Sequence, residues 1–170
     1  MIPAQPIERH LSRNAVFDKT GDYRYRLGRR WQSDGAEVAF VMLNPSRADE
    51  AIDDPTLRAC IQFAQRWQYA SLSVVNLFGY RTPHPAELKQ ATDPIGPEND
   101  AYVLQAVEQA DKVVLAWGNH GVWMGRDHAI LQQLSPYAHK LVCLQQNKGG
   151  QPRHPLYVKR EQPITPFVFN

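Results

Sequence analysis

The chain has 170 residues, of which 43% are hydrophobic and 21% are charged, and its formal net charge is +2. These values predict one globular domain with a real core and exclude a collagen-like or disordered chain. No apolar run approaches the roughly 20 residues of a membrane span, and the N-terminal segment lacks the apolar stretch of a secretory signal. We therefore expect a cytoplasmic protein without membrane contact, in which Cys60 and Cys143 are buried free thiols.

The charges are unevenly distributed along the chain. Residues 8–31 carry seven Lys and Arg against three Asp and Glu, and residues 139–161 are also basic. Residues 87–111 carry six acidic residues against one lysine. Two basic segments around an acidic one can form a surface that faces phosphate groups. Ordinary solvated faces explain the same pattern equally well.

The chain is predicted to begin with an arm, residues 1–14, followed by a single domain, residues 15–170. The domain opens with a β-hairpin in the segment VFDKTGDYRYRLGRRW (16–31), where Thr20-Gly21-Asp22 is typical of a turn. In YRYRL (23–27), aromatic and apolar side chains alternate with arginines at the period of a strand. We expect the aromatic face to pack inward and the arginines to face water.

Four apolar runs follow the hairpin, with helical patterns between them. The runs are nearly continuous in Val, Leu and Ala, which is typical of strands covered on both faces in a parallel sheet. This alternation predicts a three-layer α/β sandwich with a four-stranded parallel sheet and right-handed crossovers. The runs are EVAFVML (37–43), LSVVNL (72–77), KVVLAW (112–117) and KLVCLQ (140–145), and the helices are predicted at 55–68, 97–110 and 120–134.

The most polar stretches of the chain come directly after these four runs. In open parallel sheets, ligands bind beyond the carboxyl ends of the strands. The four loops are therefore expected to converge on one edge and to form a site. The alternative is that Asn, Pro and Asp simply make turns, as in any loop. The loops are NPSRADEAIDD, FGYRTPHPAE, GNHG and QNKGGQPRHPLY.

The first loop contains five candidate ligand-binding residues. The Asn44 amide can orient a water molecule or hold a carbonyl oxygen, Pro45 stiffens the turn, and Ser46 can donate to an anion. Asp49 and Asp54 offer carboxylate oxygens, but Asp54 also fits the N-cap of the next helix. Since no second acidic cluster supplies opposing ligands, we expect no metal site. The alternative for Asn44 is a turn that only ends the strand.

The second loop places three candidates at the end of an apolar run. Asn76 would be a buried amide in need of partners, and a bidentate asparagine can read the edge of a base. Phe78 is an aromatic residue that can stack on a base, and Arg81 can bind a phosphate. The alternatives are a structural asparagine with its hydrogen bonds satisfied and an aromatic residue that belongs to the core.

The last two loops complete the candidate set. His154 lies among glycines and prolines in GGQPRHPLY, where a neutral imidazole can donate to a developing oxyanion. Arg153 beside it can hold a phosphate. Asn119 and Gln151 are candidate substrate-binding residues in the same loops. A lone histidine is more often structural, which is the alternative for His154.

The loop motifs resemble those of an uncharacterised bacterial group, domain-of-unknown-function family 1643. That family assignment names no activity. The matching stretches span residues 42–158. They are MLNPSRADEAIDDPTLR, VVNLFGYRTPHPAEL, DPIGPENDA, VLAWGNHG and QPRHPLYV.

More distantly, the order of the motifs resembles the uracil-DNA glycosylase superfamily. In that superfamily an Asn/Asp-Pro loop follows the first strand, a second strand ends in a base-reading Asn, and a His-Pro loop follows the last strand. Asn44-Pro45-Ser46, Asn76 and His154-Pro155 match these positions. Leu43 replaces a glycine, and Leu156-Tyr157 replaces Ser-Pro. The resemblance implies the strand order 2-1-3-4 for the four apolar runs.

The resemblance implies a uracil-DNA glycosylase-like domain that binds a nucleobase, nucleotide or nucleic acid, with hydrolysis of an N-glycosidic bond as its reaction. Asn44 would position the water, Asn76 would bind the base edge, and His154 would stabilise charge on the leaving base. We expect no cofactor. Two alternatives stay open: a non-catalytic binding module, and a hydrolase of free nucleosides or nucleotides. An amide at position 44 can orient water but cannot take its proton, which favours binding or weak catalysis.

Overall fold

A mixed β-sheet of seven strands runs through the computed structural model, which describes residues 12–169. Helix α1 covers one face of the sheet, and helices α3 and α4 cover the other. The strands lie in the order β1-β2-β4-β3-β5-β6-β7. They are β1 (Ser12–Phe17), β2 (Arg24–Arg30), β3 (Glu37–Met42), β4 (Ser71–Asn76), β5 (Lys112–Leu115), β6 (Leu141–Cys143) and β7 (Thr165–Pro166), and the α-helices are α1 (Pro55–Arg66), α2 (Pro85–Gln90), α3 (Asn99–Gln109) and α4 (Arg126–Gln133).

The four apolar runs form the centre of this sheet, in the spatial order β4-β3-β5-β6, and each neighbouring pair among them is parallel. The expectation of a sheet with four strands, all parallel, is wrong for the sheet as a whole. Strands β1 and β2 extend it antiparallel beside β4, and β7 extends it antiparallel beside β6. These additions pair the backbone groups that two open sheet edges would leave exposed.

The continuous apolar character of β3 follows from its place between two layers. Val38, Phe40 and Met42 pack in the core on the α1 side, whereas Ala39 and Val41 pack on the side of α3 and α4. Because both faces of the strand are buried, neither set of alternating positions can be polar. No helix in the described part of the chain is long and apolar enough to cross a bilayer.

Three local predictions differ from the structure. The helix expected at 120–134 begins only at α4, because residues 119–125 form 3₁₀ turns in which Met124 and Gly125 have φ of 56° and 64°. An α-helix cannot contain such left-handed residues. The short helix α2 was not predicted. Residues 12–14 of the expected arm belong to β1, and residues 1–11 of that arm lie outside the described range.

An extra residue in β2 reverses the expected direction of its first arginine. The pairing of β1 with β2 shifts register, so that Tyr25 stands between two paired positions. Tyr25 stacks on Tyr102 of α3, and Arg26 donates to Gln109 of the same helix. Arg24 consequently lies on the other face and is only 4% exposed. The expectation that the arginines face water is therefore wrong for Arg24, because a bulge breaks the two-residue alternation.

Arginine side chains hold loop 44–54 against the hairpin, mainly through the backbone carbonyl groups of the loop. Among the acidic side chains of the loop, Asp53 pairs with Arg13 and Arg29 at 2.8 and 2.9 Å. The density of charge in this part of the sequence therefore has a structural role. The donors and carbonyl acceptors are Arg13 with Glu50 and Ala51, Arg24 with Ala48, Arg29 with Asp49 and Ile52, and Arg81 with Ser46 and Arg47.

Candidate functional site

A cavity of about 630 Å³ opens beyond the carboxyl ends of the parallel strands. This volume lies within the range of small-molecule sites. All four loops that follow the apolar runs contribute to its lining: the loop after β3, the loop after β4, the turn after β5 and the segment between β6 and β7. Helix α1 closes one side through Leu57 and Cys60.

Seven of the twelve candidate residues line this cavity, and five do not. Whether the lining residues bind a ligand stays a prediction. The residues that line the cavity are Asn44, Ser46, Asp54, Asn76, Asn119, Arg153 and His154, and those outside its lining are Pro45, Asp49, Phe78, Arg81 and Gln151.

The amide of Asn76 is the most unusual polar group of the cavity. Asn76 ends strand β4 and is 1% exposed, yet neither its Nδ2 nor its Oδ1 has a hydrogen-bond partner among residues 12–169. Most buried side-chain polar atoms in proteins have a partner, and leaving one unpaired costs roughly 1–3 kcal/mol. Asn76 therefore offers the cavity an adjacent donor and acceptor that residues 12–169 do not use.

The side-chain nitrogen of Asn44 donates hydrogen bonds within the protein, whereas its side-chain oxygen is available to a ligand or water. Nδ2 donates to the carbonyl oxygens of Thr82 at 2.8 Å and Pro45 at 3.0 Å, which ties the end of β3 to the loop after β4. Oδ1 accepts no hydrogen bond from the described residues. This oxygen can accept from a water molecule in the cavity.

Asp54 contributes the carboxylate of the cavity lining. Its Oδ1 accepts from the backbone N–H of Leu57 at 2.8 Å and so caps helix α1, as the sequence predicts. Its second oxygen has no hydrogen bond to the described part of the chain. The negative charge of Asp54 acts on both Arg24 and His154. The residue thus combines its structural role with a free carboxylate oxygen in the cavity.

His154 is held as a neutral donor. Its Nδ1 accepts from the backbone N–H of Leu156 at 3.2 Å, which leaves the ring proton on Nε2. Burial lowers the pKa of His154 from 6.5, and the charge of Asp54 opposes this effect. Near neutral pH the imidazole is therefore uncharged, and its Nε2–H can donate to a ligand.

Arg24 is a cavity residue that the sequence analysis missed. Its Nη1 donates to the carbonyl oxygen of Ala48 at 2.8 Å, whereas its Nε is buried without a partner among the described residues. Burial lowers the pKa of Arg24 from 12.5 to about 10, so the guanidinium remains charged at neutral pH. The alternation of side chains could not reveal this residue, because the bulge at Tyr25 changes its direction.

Two other asparagines of the cavity lining, Asn119 after β5 and Asn147 after β6, form a hydrogen-bonded pair. Asn119 accepts from Nδ2 of Asn147 at 2.8 Å.

Cys60 also lines the cavity, but burial raises the pKa of its thiol well above 9.0, which makes it a poor nucleophile. Within residues 12–169, no group of three or more His, Cys, Asp or Glu side chains is placed to hold a metal ion.

Phe78 and Arg81 have structural surroundings. Phe78 is fully buried in the core on the side of α3 and α4, where the centroid of its ring lies 4.9 Å from that of Trp123. Arg81 donates to the carbonyl oxygen of Ser46 at 2.9 Å and lies over the ring of Phe17. Both residues follow β4, but the chain leaves that strand toward the α3 layer and the hairpin, which takes their side chains away from the cavity.

The three remaining candidates stabilise the walls of the cavity from outside. Pro45 is buried, and its carbonyl oxygen accepts from the backbone of Thr82. Asp49 accepts from two backbone N–H groups of its own loop, and these bonds hold its pKa below 3.8. Gln151 accepts from Nε1 of Trp117, a lining residue, at 2.7 Å and donates to Asp127 at 2.9 Å.

The comparison with protein families identifies one relationship. A family model described as "Protein of unknown function (DUF1643)" matches residues 24–156. The matched segment contains every residue of the cavity lining except Tyr157. No curated protein and no solved structure matches the chain.

Proposed function

The chain belongs to the DUF1643 family of proteins of unknown function, and we propose from its cavity that it binds a nucleobase, as part of a nucleotide or nucleic acid, and hydrolyses the N-glycosidic bond. The likeness to the uracil-DNA glycosylase superfamily is part of this proposal. It is supported by the positions of three residues that line the same cavity: Asn44 follows β3, Asn76 ends β4 and His154 follows β6.

The observation that carries the proposal is the unpartnered amide of Asn76. A strand holds this side chain at the cavity lining, and its two amide atoms have no partner among the described residues. A planar ligand with an adjacent acceptor and donor would satisfy both amide atoms at once, and the edge of a nucleobase has this pattern. Without a ligand, a buried amide without hydrogen bonds raises the free energy of the folded state. Hydrogen bonds to a bound base would remove this cost.

The remaining polar groups suit hydrolysis at the sugar carbon attached to the base. Oδ1 of Asn44 would orient a water molecule, and the free oxygen of Asp54 would take its proton as the water oxygen bonds to that carbon. The bond from carbon to the base nitrogen breaks, and its electrons move into the base. The Nε2–H of His154 would donate to the base oxygen on which this charge develops.

The second candidate function is a binding module without catalysis. It is favoured by the amide at position 44, which cannot take a proton, and by the capping bond that occupies one oxygen of Asp54. The two candidates share the base-reading role of Asn76. They differ in turnover, which the release of free base from a bound nucleotide would measure.

Replacing Asn76 by Ala or Leu tests base recognition. We expect the affinity for nucleobases and nucleosides, measured by calorimetry, to fall by roughly 5- to 150-fold, which corresponds to a loss of about 1–3 kcal/mol. Thermal stability should stay level or rise, because the amide makes no hydrogen bond with residues 12–169 that the substitution would remove.

Two matched variants serve as controls for this experiment. Asn99 is an equally buried amide, but its Nδ2 donates to the carbonyl oxygen of Asn76 at 2.8 Å, so Asn99→Ala should lower stability. Ser73 lies on β4 and contacts Arg26, away from the cavity lining, so Ser73→Ala should leave base affinity unchanged. A marked loss of stability in both Asn76 variants, with unchanged affinity of the folded fraction, would remove the proposal.

A further inference from the structure

Arg24 is a buried cation on the cavity wall that forms no ion pair with residues 12–169, although the charge of Asp54 acts on it. Its side chain makes one hydrogen bond, to a neutral carbonyl group, and it has no ion pair in the described part of the chain. A buried charge in proteins is normally paired, because removing an unpaired ion from water costs several kcal/mol. Neither the expected base-reading site nor the hydrolysis described above uses this residue.

Arg29 shows what a structural arginine looks like in this fold. It lies on the same strand and is equally buried, at 1% exposure. Its guanidinium pairs with Asp53 at 2.9 Å and also donates to three backbone carbonyl groups. Arg29 is therefore satisfied by residues 12–169, whereas Arg24 is not. This contrast favours a bound ligand as the missing partner of Arg24.

The rest of the lining favours an anion as that partner. Among the described residues of the lining, the charged side chains apart from histidines are Arg24, Arg153 and Asp54, which gives an excess of one positive charge. The side chain of Arg153 makes no hydrogen bond or ion pair with the described residues. Thr56, in the first turn of α1, also lines the cavity, and the N-terminal end of a helix attracts negative charge.

We propose that Arg24 binds a phosphate group of the ligand, so that the substrate class is a phosphate ester of a nucleoside and not a free base or nucleoside. This inference rests on the proposed function for the base-binding part of the cavity. The Nε–H of Arg24 and its remaining guanidinium N–H groups donate to phosphate oxygens, an arrangement that guanidinium geometry suits. A mononucleotide and a single nucleic-acid strand both carry this group.

The proposal is tested by comparing Arg24→Met with wild-type protein. We expect wild-type protein to bind nucleoside 5′-monophosphates more tightly than the matching nucleosides, and Arg24→Met to lose about 10- to 100-fold of nucleotide affinity. Nucleoside affinity should not change. Arg24→Lys keeps the charge and should keep part of the preference. Short oligonucleotides, measured beside mononucleotides, separate the two sources of phosphate.

Arg81→Gln is the matched control, because Arg81 also donates to the backbone of loop 44–54 but does not line the cavity. It should leave the preference for nucleotides unchanged. Thermal unfolding adds an independent readout: Arg24→Met loses only the hydrogen bond to the carbonyl oxygen of Ala48 and should cost much less stability than Arg29→Met, which also loses an ion pair, whereas a purely structural Arg24 would cost as much. Equal affinity of folded Arg24→Met and wild-type protein for nucleotides would overturn the proposal.

Inorganic phosphate separates this inference from the proposed function. Shifts in amide NMR signals of residues 46–56 on titration with phosphate should appear in wild-type protein and disappear in Arg24→Met. They should persist in Asn76→Ala. If no nucleobase or nucleoside binds but this phosphate response is present, the base-reading proposal fails and the anion site stands. If bases bind but phosphate produces no response that depends on Arg24, the anion site fails alone.

Discussion

Replacing His154 by alanine should lower the rate of base release by about 100- to 1,000-fold, the effect typical of removing one donor to a developing negative charge. Nucleotide affinity should change much less, because charge on the leaving base develops only in the transition state. Single-turnover measurement of base release, with affinity determined separately, distinguishes the two effects. An equal loss in rate and affinity would instead assign His154 to ground-state binding.

The geometry of His154 provides the control variants. The ring donates from Nε2, and a glutamine side chain can place its amide N–H near the same point, so His154→Gln should recover part of the rate. His128 is exposed on α4 and lies outside the cavity lining, so His128→Ala should match wild-type protein. If His154→Gln were as slow as His154→Ala, a donor role for Nε2 would be ruled out.

The same histidine predicts an acid limit for activity. Protonation of Nδ1 breaks the hydrogen bond that it accepts from the N–H of Leu156, so the ring loses the contact that orients Nε2. Burial lowers the pKa of His154 below 6.5, with the Asp54 charge in opposition, so the rate should hold as pH falls to 6.5 and decline only below it. The unfolded chain binds this proton at the ordinary pKa. Folding stability should therefore begin to fall as pH drops through 6.5, and the loss is complete below the folded pKa. A pH–rate profile with its acid limb above 6.5 would contradict this assignment.

Replacing Arg29 by methionine should produce the largest loss of stability among the variants considered. The free energy of unfolding should fall by about 3 kcal/mol, the lower end of the range for breaking a buried ion pair, because Arg13 continues to pair with Asp53. Carbonyl groups of loop 44–54 lose their donor at the same time. Denaturant unfolding measures the loss, and amide hydrogen exchange should show the earliest opening in residues 49–53.

Arg30→Met is the control for this substitution. Arg30 is the next residue on β2, but it donates to the carbonyl oxygen of Gln32 and the hydroxyl of Ser71, away from the loop. Arg30 is itself only partly buried and forms no ion pair with the described residues, so its removal should cost under about 1 kcal/mol. Similar losses for Arg29→Met and Arg30→Met would show that anchoring of the loop contributes little to stability.

The central strands were predictable because burial on both faces requires apolar residues at successive positions, which appear in the sequence as continuous apolar runs. β3 and β4 begin and end within one residue of the prediction, and Asn44 and Asn76 at their carboxyl ends line one cavity. The outer strand β7 could not be predicted in this way, because it lacks an apolar pattern. β7 consists of two exposed residues, and nothing in its composition indicates that it pairs with β6.

The positions of Phe78 and Arg81 outside the cavity lining and of Arg24 within it have a common physical cause. Phe78 and Arg81 have the right chemistry for a base and a phosphate, but side-chain direction after a strand depends on the path of the following loop. Arg24 was missed for the converse reason, since one unpaired residue in β2 turned its side chain toward the cavity. Periodicity predicts direction only while the register is unbroken.

The arginines that hold loop 44–54 bind chiefly its carbonyl oxygens, which every amino acid supplies. Side chains in the loop can therefore be exchanged during evolution without loosening its attachment, provided that the path of the chain is kept and Asp53 remains. Selectivity for different ligands can diverge in this loop while the scaffold stays constant. A library randomised at Arg47, Glu50 and Ala51, whose side chains face away from the cavity lining, would test how far this tolerance extends.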